Sequence, residues 1–380
     1  MTSAPRPFFG RVESLRGLGT LAIAGYHFAG MMFFTGPLLP DVPWPDANAI
    51  QNGIRQFGVT MLAGHAALMT FFVISGFVLR VSLEHGPQQP TAAAARFFLS
   101  RIFRLYPIVI FAVAVSAVIA RPVPLGQVVT NMLLLDVSLN EWFWALQVEL
   151  LMAPVIVVLY FLERRYSLHV LVVIAIATSA LAFKPSWAWW PPLSTNVFAF
   201  VLGMLVPTLG RRFVAGRSRF VVGVLLVATL ALFLPNLCFG RYSRFSGLIE
   251  AYGAFAVVSL AAYRHDLFVL KWLDAKPLRW LGLSSGSYYV LHMTTIPLAI
   301  GIAAAVVPVA WRVSAPALVG ILVLAVWLAA IAPITLCTYY LIEAPGIGLG
   351  KRVMRRLGLD SRSAPATPPV ELKEARWRAA

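Results

Sequence analysis

Six ionisable residues fall inside apolar stretches of this 380-residue chain: His27, His65, Glu149, Glu250, His292 and Glu343, with Arg16 at the mouth of the first stretch. Charges and imidazoles are costly in hydrocarbon, so each is a candidate functional group. Arg16 and His27 are the most informative pair. They are eleven residues apart, and eleven helical steps of 100° return a side chain to within about 20° of its starting face. The same eleven residues rise about 16 Å. A fixed cation then stands at one end of a stripe and a proton acceptor about halfway across the membrane. That suits a substrate whose phosphates remain in the cytosol while a reactive group is threaded inward. The spacing fits equally a topological anchor at Arg16 and a hydrogen-bonded packing residue at His27.

Glu149 follows Trp142-Phe143-Trp144-Ala145-Leu146-Gln147-Val148. A buried carboxylate needs a partner or it protonates. An imidazole would serve, and the pair would keep a histidine oriented and basic; an arginine or backbone partner is the other option. Phe71-Phe72-Val73-Ile74-Ser75-Gly76-Phe77 sets a small pair in a span, which allows close approach of a helix or a ligand. Arg101 and Arg104, in Arg101-Ile102-Phe103-Arg104-Leu105-Tyr106-Pro107, can grip phosphates or set topology. His292, in Ser287-Tyr288-Tyr289-Val290-Leu291-His292, reads as structural when taken alone. Glu343, in Ile342-Glu343-Ala344-Pro345, reads as an ion-pair anchor near the cytosolic interface. His65 and Glu250 lie near outer span ends, with no role beyond possible contact with an acceptor. Gly346, Gly348 and Gly350 resemble part of a dinucleotide loop but lack the strand that such a loop follows.

The elements that must carry these groups are transmembrane helices. The chain is 59% hydrophobic with mean hydropathy +0.80, and 12% of it is charged, about half the usual share of a soluble domain. A soluble fold cannot hide that much apolar surface. The pattern predicts an all-α polytopic protein with about ten spans, at 17–34, 59–79, 105–120, 142–161, 168–183, 193–209, 220–237, 247–263, 281–307 and 314–342. With the N-terminus inside, the outer segments hold only Arg55, Arg121, Lys184, Arg241, Arg244 and Arg312 of the 31 basic residues. This positive-inside bias orients both termini to the cytosol. The net charge of +16 is therefore topogenic. Nucleic acid is excluded as a partner, because no basic face alternates with stacking aromatics.

Outer segment 35–58 carries Asp41 and Asp46, and segment 121–141 carries Asp136 and Glu141; either can shape an exterior acceptor site. Residues 1–350 form one transmembrane domain. Residues 351–380 form a basic, Pro/Ala-rich cytosolic tail expected to be disordered. The basic N-terminus resembles a signal peptide, but no small-residue cleavage pattern ends the apolar stretch, so it reads as a retained span. Cys238 and Cys337 have no disulfide or zinc-ligand spacing. No internal repeat is visible.

Taken in order, these motifs resemble acyltransferase family three, bacterial membrane O-acyltransferases that modify polysaccharides, lipopolysaccharide and other glycosylated acceptors. Arg16 to His27, Phe71 to Phe77, Arg101 to Pro107, Trp144 to Glu149, Ser287 to His292 and Ile342 to Pro345 each look like a family segment. They appear in family order over 16–345. Ala145 stands where the family usually has Ser, and Ala344 where it often has Arg. The resemblance implies ten spans in a bacterial inner membrane, cytosolic termini, an acyl-CoA donor (acetyl-CoA expected) and an exterior saccharide or glycolipid acceptor.

On that reading His27 takes the proton of the acceptor hydroxyl as its oxygen attacks the thioester, and Glu149 stabilises the imidazolium. An acyl-histidine intermediate is the alternative chemistry. Arg16, Arg101 and Arg104 hold the CoA phosphates, and Ser75 is assigned to the same donor site. A thioester is already activated, so the step needs no metal. The rival readings are a transporter or flippase, a membrane O-acyltransferase of another fold with a His/Asn pair, and a non-catalytic partner in surface-polysaccharide export.

Overall fold

A computed structural model describes residues 9–34, 49–120, 122–216, 218–240 and 243–359. Among these residues the regular structure is entirely helical, with no strand. In lipid a backbone must satisfy its own hydrogen bonds, and a helix does so within one segment. The principal helices are α1 (Gly10–Phe34), α2 (Ala49–Leu62), α3 (Gly64–Glu84), α4 (Pro90–Ile119), α5 (Leu125–Met132), α6 (Trp144–Arg165) and α7 (Leu168–Leu181). They continue with α8 (Val197–Leu205), α9 (Ser218–Phe233), α10 (Arg244–Tyr263), α11 (Lys276–Leu283), α12 (Ser285–Val306), α13 (Pro316–Thr338) and α14 (Ala344–Arg356).

Local sequence explains several helix starts. Proline opens α4 and α13, where its missing N–H costs nothing. Ser243 caps α10, its hydroxyl accepting from the Ser246 amide at 3.0 Å. Ala63, between α2 and α3, holds a left-handed backbone with φ of 45°, a conformation that costs energy for any residue with a Cβ.

Each of the ten expected stretches overlaps a helical segment. Among the described residues, seven helices are long and apolar enough to cross a membrane: 57–84, 90–119, 141–165, 191–213, 244–263, 285–306 and 316–356. The apolar helices α7 and α9 are shorter, and α1 carries Arg11, Glu13, Arg16 and His27 along its 25 residues. Residues 35–48 with Asp41 and Asp46, Arg121, Arg217, Arg241 and the segment 360–380 lie outside the described residues. The helix α14 continues through Arg356, past the expected start of the tail at 351.

Close backbone contacts set the helix positions. Gly76 of α3 faces the Phe200 carbonyl of α8, and Gly203 of α8 faces the Val73 carbonyl of α3. A side chain at either would strike backbone, as at small-residue membrane interfaces generally. Val73, Phe77, Met152, Phe200 and Met204 fill the core around this contact. Gly17 meets the backbone of Gly282, setting α1 against α11. Gly346 approaches Pro107 and the Phe103 carbonyl, and Gly350 the Phe103 ring. Four residues apart, these two glycines lie on one face and seat α14 on α4. That is the use of the glycine run near 346.

The N-terminal start of α1 is clamped by Arg11. Its guanidinium donates to Asp274 at 2.8 Å and to the carbonyls of Arg264 and His265 at 3.0 and 3.2 Å. The hydrogen bonds from Arg11 hold the Asp274 carboxyl below its usual pKa, with Arg279 assisting.

Candidate active site

Two cavities meet inside the bundle. The larger, about 410 Å³, is lined by His27 and Tyr26 of α1, His65 of α3, Trp142 and Trp144 at the head of α6, and Thr195, Asn196 and Arg244. The smaller, about 130 Å³, is lined by Arg16, Ser75, Arg101, Arg104, Glu149 and Glu343. Leu68 and Tyr289 belong to both walls. The helix α1 borders both, with His27 on one and Arg16 on the other.

His27 is paired with His292. Its Nδ1 lies 2.8 Å from Nε2 of His292, and Nδ1 of His292 lies 2.5 Å from the Tyr289 carbonyl oxygen. A carbonyl only accepts, so the neutral His292 ring carries its hydrogen on Nδ1 and accepts at Nε2. His27 then donates from Nδ1, which leaves Nε2 as its bare acceptor nitrogen. His292 is buried at 1% exposure. The indole of Trp142 lies against the His27 ring with centroids 3.9 Å apart. The Tyr289 hydroxyl donates to the Trp142 carbonyl at 2.8 Å. Tyr289 thereby holds both neighbours of His27 in place through its backbone and its side chain.

The smaller cavity gathers charge. Arg101 donates to Glu149, whose Oε1 also accepts from the Ser75 hydroxyl at 2.9 Å. Nε of Arg101 is buried and has no hydrogen-bond partner among the described residues. Arg16 donates to Glu13 at 3.2 Å and to the Ser285 hydroxyl at 2.8 Å. Glu343, nearly fully buried, accepts from Ser287 at 2.7 Å and stands 4.0 Å from Nε of Arg104. Three guanidinium groups thus line or border the cavity, each facing a carboxylate: Arg16 with Glu13, Arg101 with Glu149 and Arg104 with Glu343.

The chain matches the family model described as "Acyltransferase domain" over residues 9–341. That match covers most of the chain. The chain belongs to acyltransferase family 3. It is a membrane acyltransferase, and the transporter and assembly-partner readings are set aside. Neither a curated protein nor a solved structure matches the chain.

The acyltransferase brings the sequence-derived residues together as two groups. Arg16, Ser75, Arg101 and Arg104 line one cavity. Glu149 joins them there and is absent from the His27 cavity. The expected carboxylate–imidazole pair is thus replaced: Glu149 is neutralised by Arg101, and the partner of His27 is His292. Ala145 has no hydroxyl to offer, and the hydroxyl that donates to Glu149 is that of Ser75. Asp136 serves its own loop, accepting from the Ser138 amide at 3.1 Å and from Asn131 at 3.0 Å, and it lines neither cavity. The sequence gives no sign of the His27–His292 pair, because two residues 265 apart carry no spacing signal. The place of His292 within the Ser287 to His292 motif was the available hint.

Proposed function

We propose that this acyltransferase moves an acyl group, acetyl being the expected one, from cytosolic acyl-CoA to a hydroxyl of an extracytoplasmic or lipid-linked saccharide across a bacterial inner membrane. The supporting observation is the pair of cavities that meet at Leu68 and Tyr289, one with clustered arginines and the other with the bare nitrogen of His27. The arginine cavity suits the anionic donor, because guanidinium groups bind phosphate through charge-assisted, often bidentate bonds. The larger cavity suits a sugar, with aromatic faces at Tyr26, Trp142 and Trp144 and polar groups at Thr195, Asn196 and Arg244. Ten crossings with both termini inside would set the arginine cavity toward the cytosol, consistent with the basic residues of the inner segments.

In the reaction Nε2 of His27 accepts the proton of the sugar hydroxyl while the oxygen attacks the thioester carbonyl. The carbon–sulfur bond then breaks, an ester forms, and the imidazolium returns its proton to the thiolate, releasing CoA thiol. His292 keeps the lone pair of His27 available by accepting from the opposite nitrogen. Glu149 acts on the donor side, holding Arg101 in place through their ion pair.

The test is chemical analysis of surface glycans from cells lacking the protein and complemented with wild type or His27→Gln. Deletion should remove a base-labile acyl group and wild type should restore it. His27→Gln, inserted at normal levels, should lower transfer by about 10²–10⁴-fold. A glycan unchanged by deletion, or a His27→Gln rate above about half of wild type, would overturn the reading.

A further inference from the structure

The larger cavity contains a second histidine that the transfer step leaves unused. His65 stands in the first turn of α3, and its Nδ1 lies 2.5 Å from Oε2 of Glu250 on α10. Glu250 is completely buried, and its other oxygen accepts from Asn236 at 2.8 Å. A carboxylate buried among helices is expensive, and such a pair is weakly stabilising at best compared with apolar packing. Structural value alone is therefore a poor reason for Glu250. Its partner, by contrast, faces the cavity.

Two further features point to a built site. The left-handed Ala63 lies two residues before His65, and strain of this kind persists where the surroundings enforce a particular geometry. Immediately after it, Gly64 approaches the Tyr26 ring so closely that no side chain would fit. Tyr26 precedes His27 and Gly64 precedes His65, so one contact between α1 and α3 fixes both histidines on the same cavity. Gly247 completes the slot: a Cβ there would lie 3.1 Å from Cε1 of His65.

We propose that His65, held by Glu250, binds the acceptor saccharide through a hydroxyl near the one that His27 deprotonates, and so selects which hydroxyl is acylated. The inference rests on the function proposed above. His65 is the group that touches the acceptor. Glu250 and Asn236 are positioning residues that fix the ring and its hydrogen-bonding polarity. A site built to hydrogen-bond one hydroxyl discriminates against a sugar that cannot supply it.

The experiment uses purified full-length protein in lipid nanodiscs, radiolabelled acetyl-CoA, and a saccharide–lipid extract of cells lacking the protein. Initial rates are measured against each substrate in turn. His65→Gln should raise the half-saturating extract concentration by about tenfold or more and leave that for acetyl-CoA within about twofold. Glu250→Gln, which keeps the shape but weakens the grip on the ring, should shift the same parameter less. Gly247→Ala, pressing on the ring without removing it, should shift it in the same direction and decides the matter if His65→Gln does not fold. Unchanged acceptor dependence in the folded variants, or equal losses for both substrates, overturns the role of His65 alone. Absence of transfer by wild type overturns the proposed function and this inference with it.

Discussion

At the scale of the residue, the decisive feature is the order of hydrogen bonds through two imidazoles. Tyr289 offers only an acceptor, and that fixes which nitrogen of His292 carries hydrogen, then which nitrogen of His27 is bare. If this chain of polarity matters, His292 is a positioning residue that acts through His27. His292→Gln retains a polar side chain but breaks the defined tautomer. It should lower kcat by about 10–100-fold and leave the donor half-saturation within about twofold. Steady-state rates measured against each substrate in turn check both effects. A variant with normal kcat would return His292 to simple packing.

At the scale of the element, function depends on how α1 is anchored at each end. Its C-terminal half meets α3 at Tyr26 and Gly64, and its N-terminal start is tied by Arg11 to Asp274. The Asp274 carboxyl is held below its ordinary pKa chiefly by the hydrogen bonds from Arg11. A depressed carboxyl pKa means that the unfolded state binds the proton more readily. Its stabilisation is therefore complete above the unfolded value of about 4 and disappears as pH falls through the lower folded value. Asp274→Asn should lower the melting temperature at neutral pH, and the gap to wild type should close on acidification below about 4. Thermal unfolding in detergent at several pH values measures it. A constant gap across the series would show that the charge of Asp274 is not what matters.

At the scale of the whole molecule, the two cavities give the bundle a direction. The residues around the arginine cavity adjoin segments expected inside, and those around the His27 cavity adjoin segments expected outside. The proposed reaction requires that orientation, because the donor is cytosolic and the acceptor is not. In a variant with Cys238 and Cys337 replaced by serine, Lys184→Cys should react with an impermeant thiol reagent in intact cells. Lys276→Cys should react only after permeabilisation. Both positions are exposed. Labelling of position 276 from outside would reverse the orientation and remove the proposed route for the donor.

The sequence by itself determined the helical class, the approximate place of each helix and the family. Those properties follow from local hydropathy, from charge bias between apolar runs and from short motifs in a fixed order, all readable along one dimension. It also singled out Arg16, Ser75, Arg101 and Arg104, which line one cavity, because conspicuous motifs carry them. Tertiary structure alone decided who pairs with whom. Glu149 and His27 both sit in apolar helices, and nothing in spacing distinguishes an arginine partner from an imidazole for either. The choice depends on how each helix is rotated about its axis, and close contacts at Gly76, Gly203, Gly17 and Gly64 fix those rotations. The same contacts bring His27 to His292 and His65 to Glu250, 265 and 185 residues apart. Such partners leave no periodic trace in the chain, because the forces that select them act between helices and not along one.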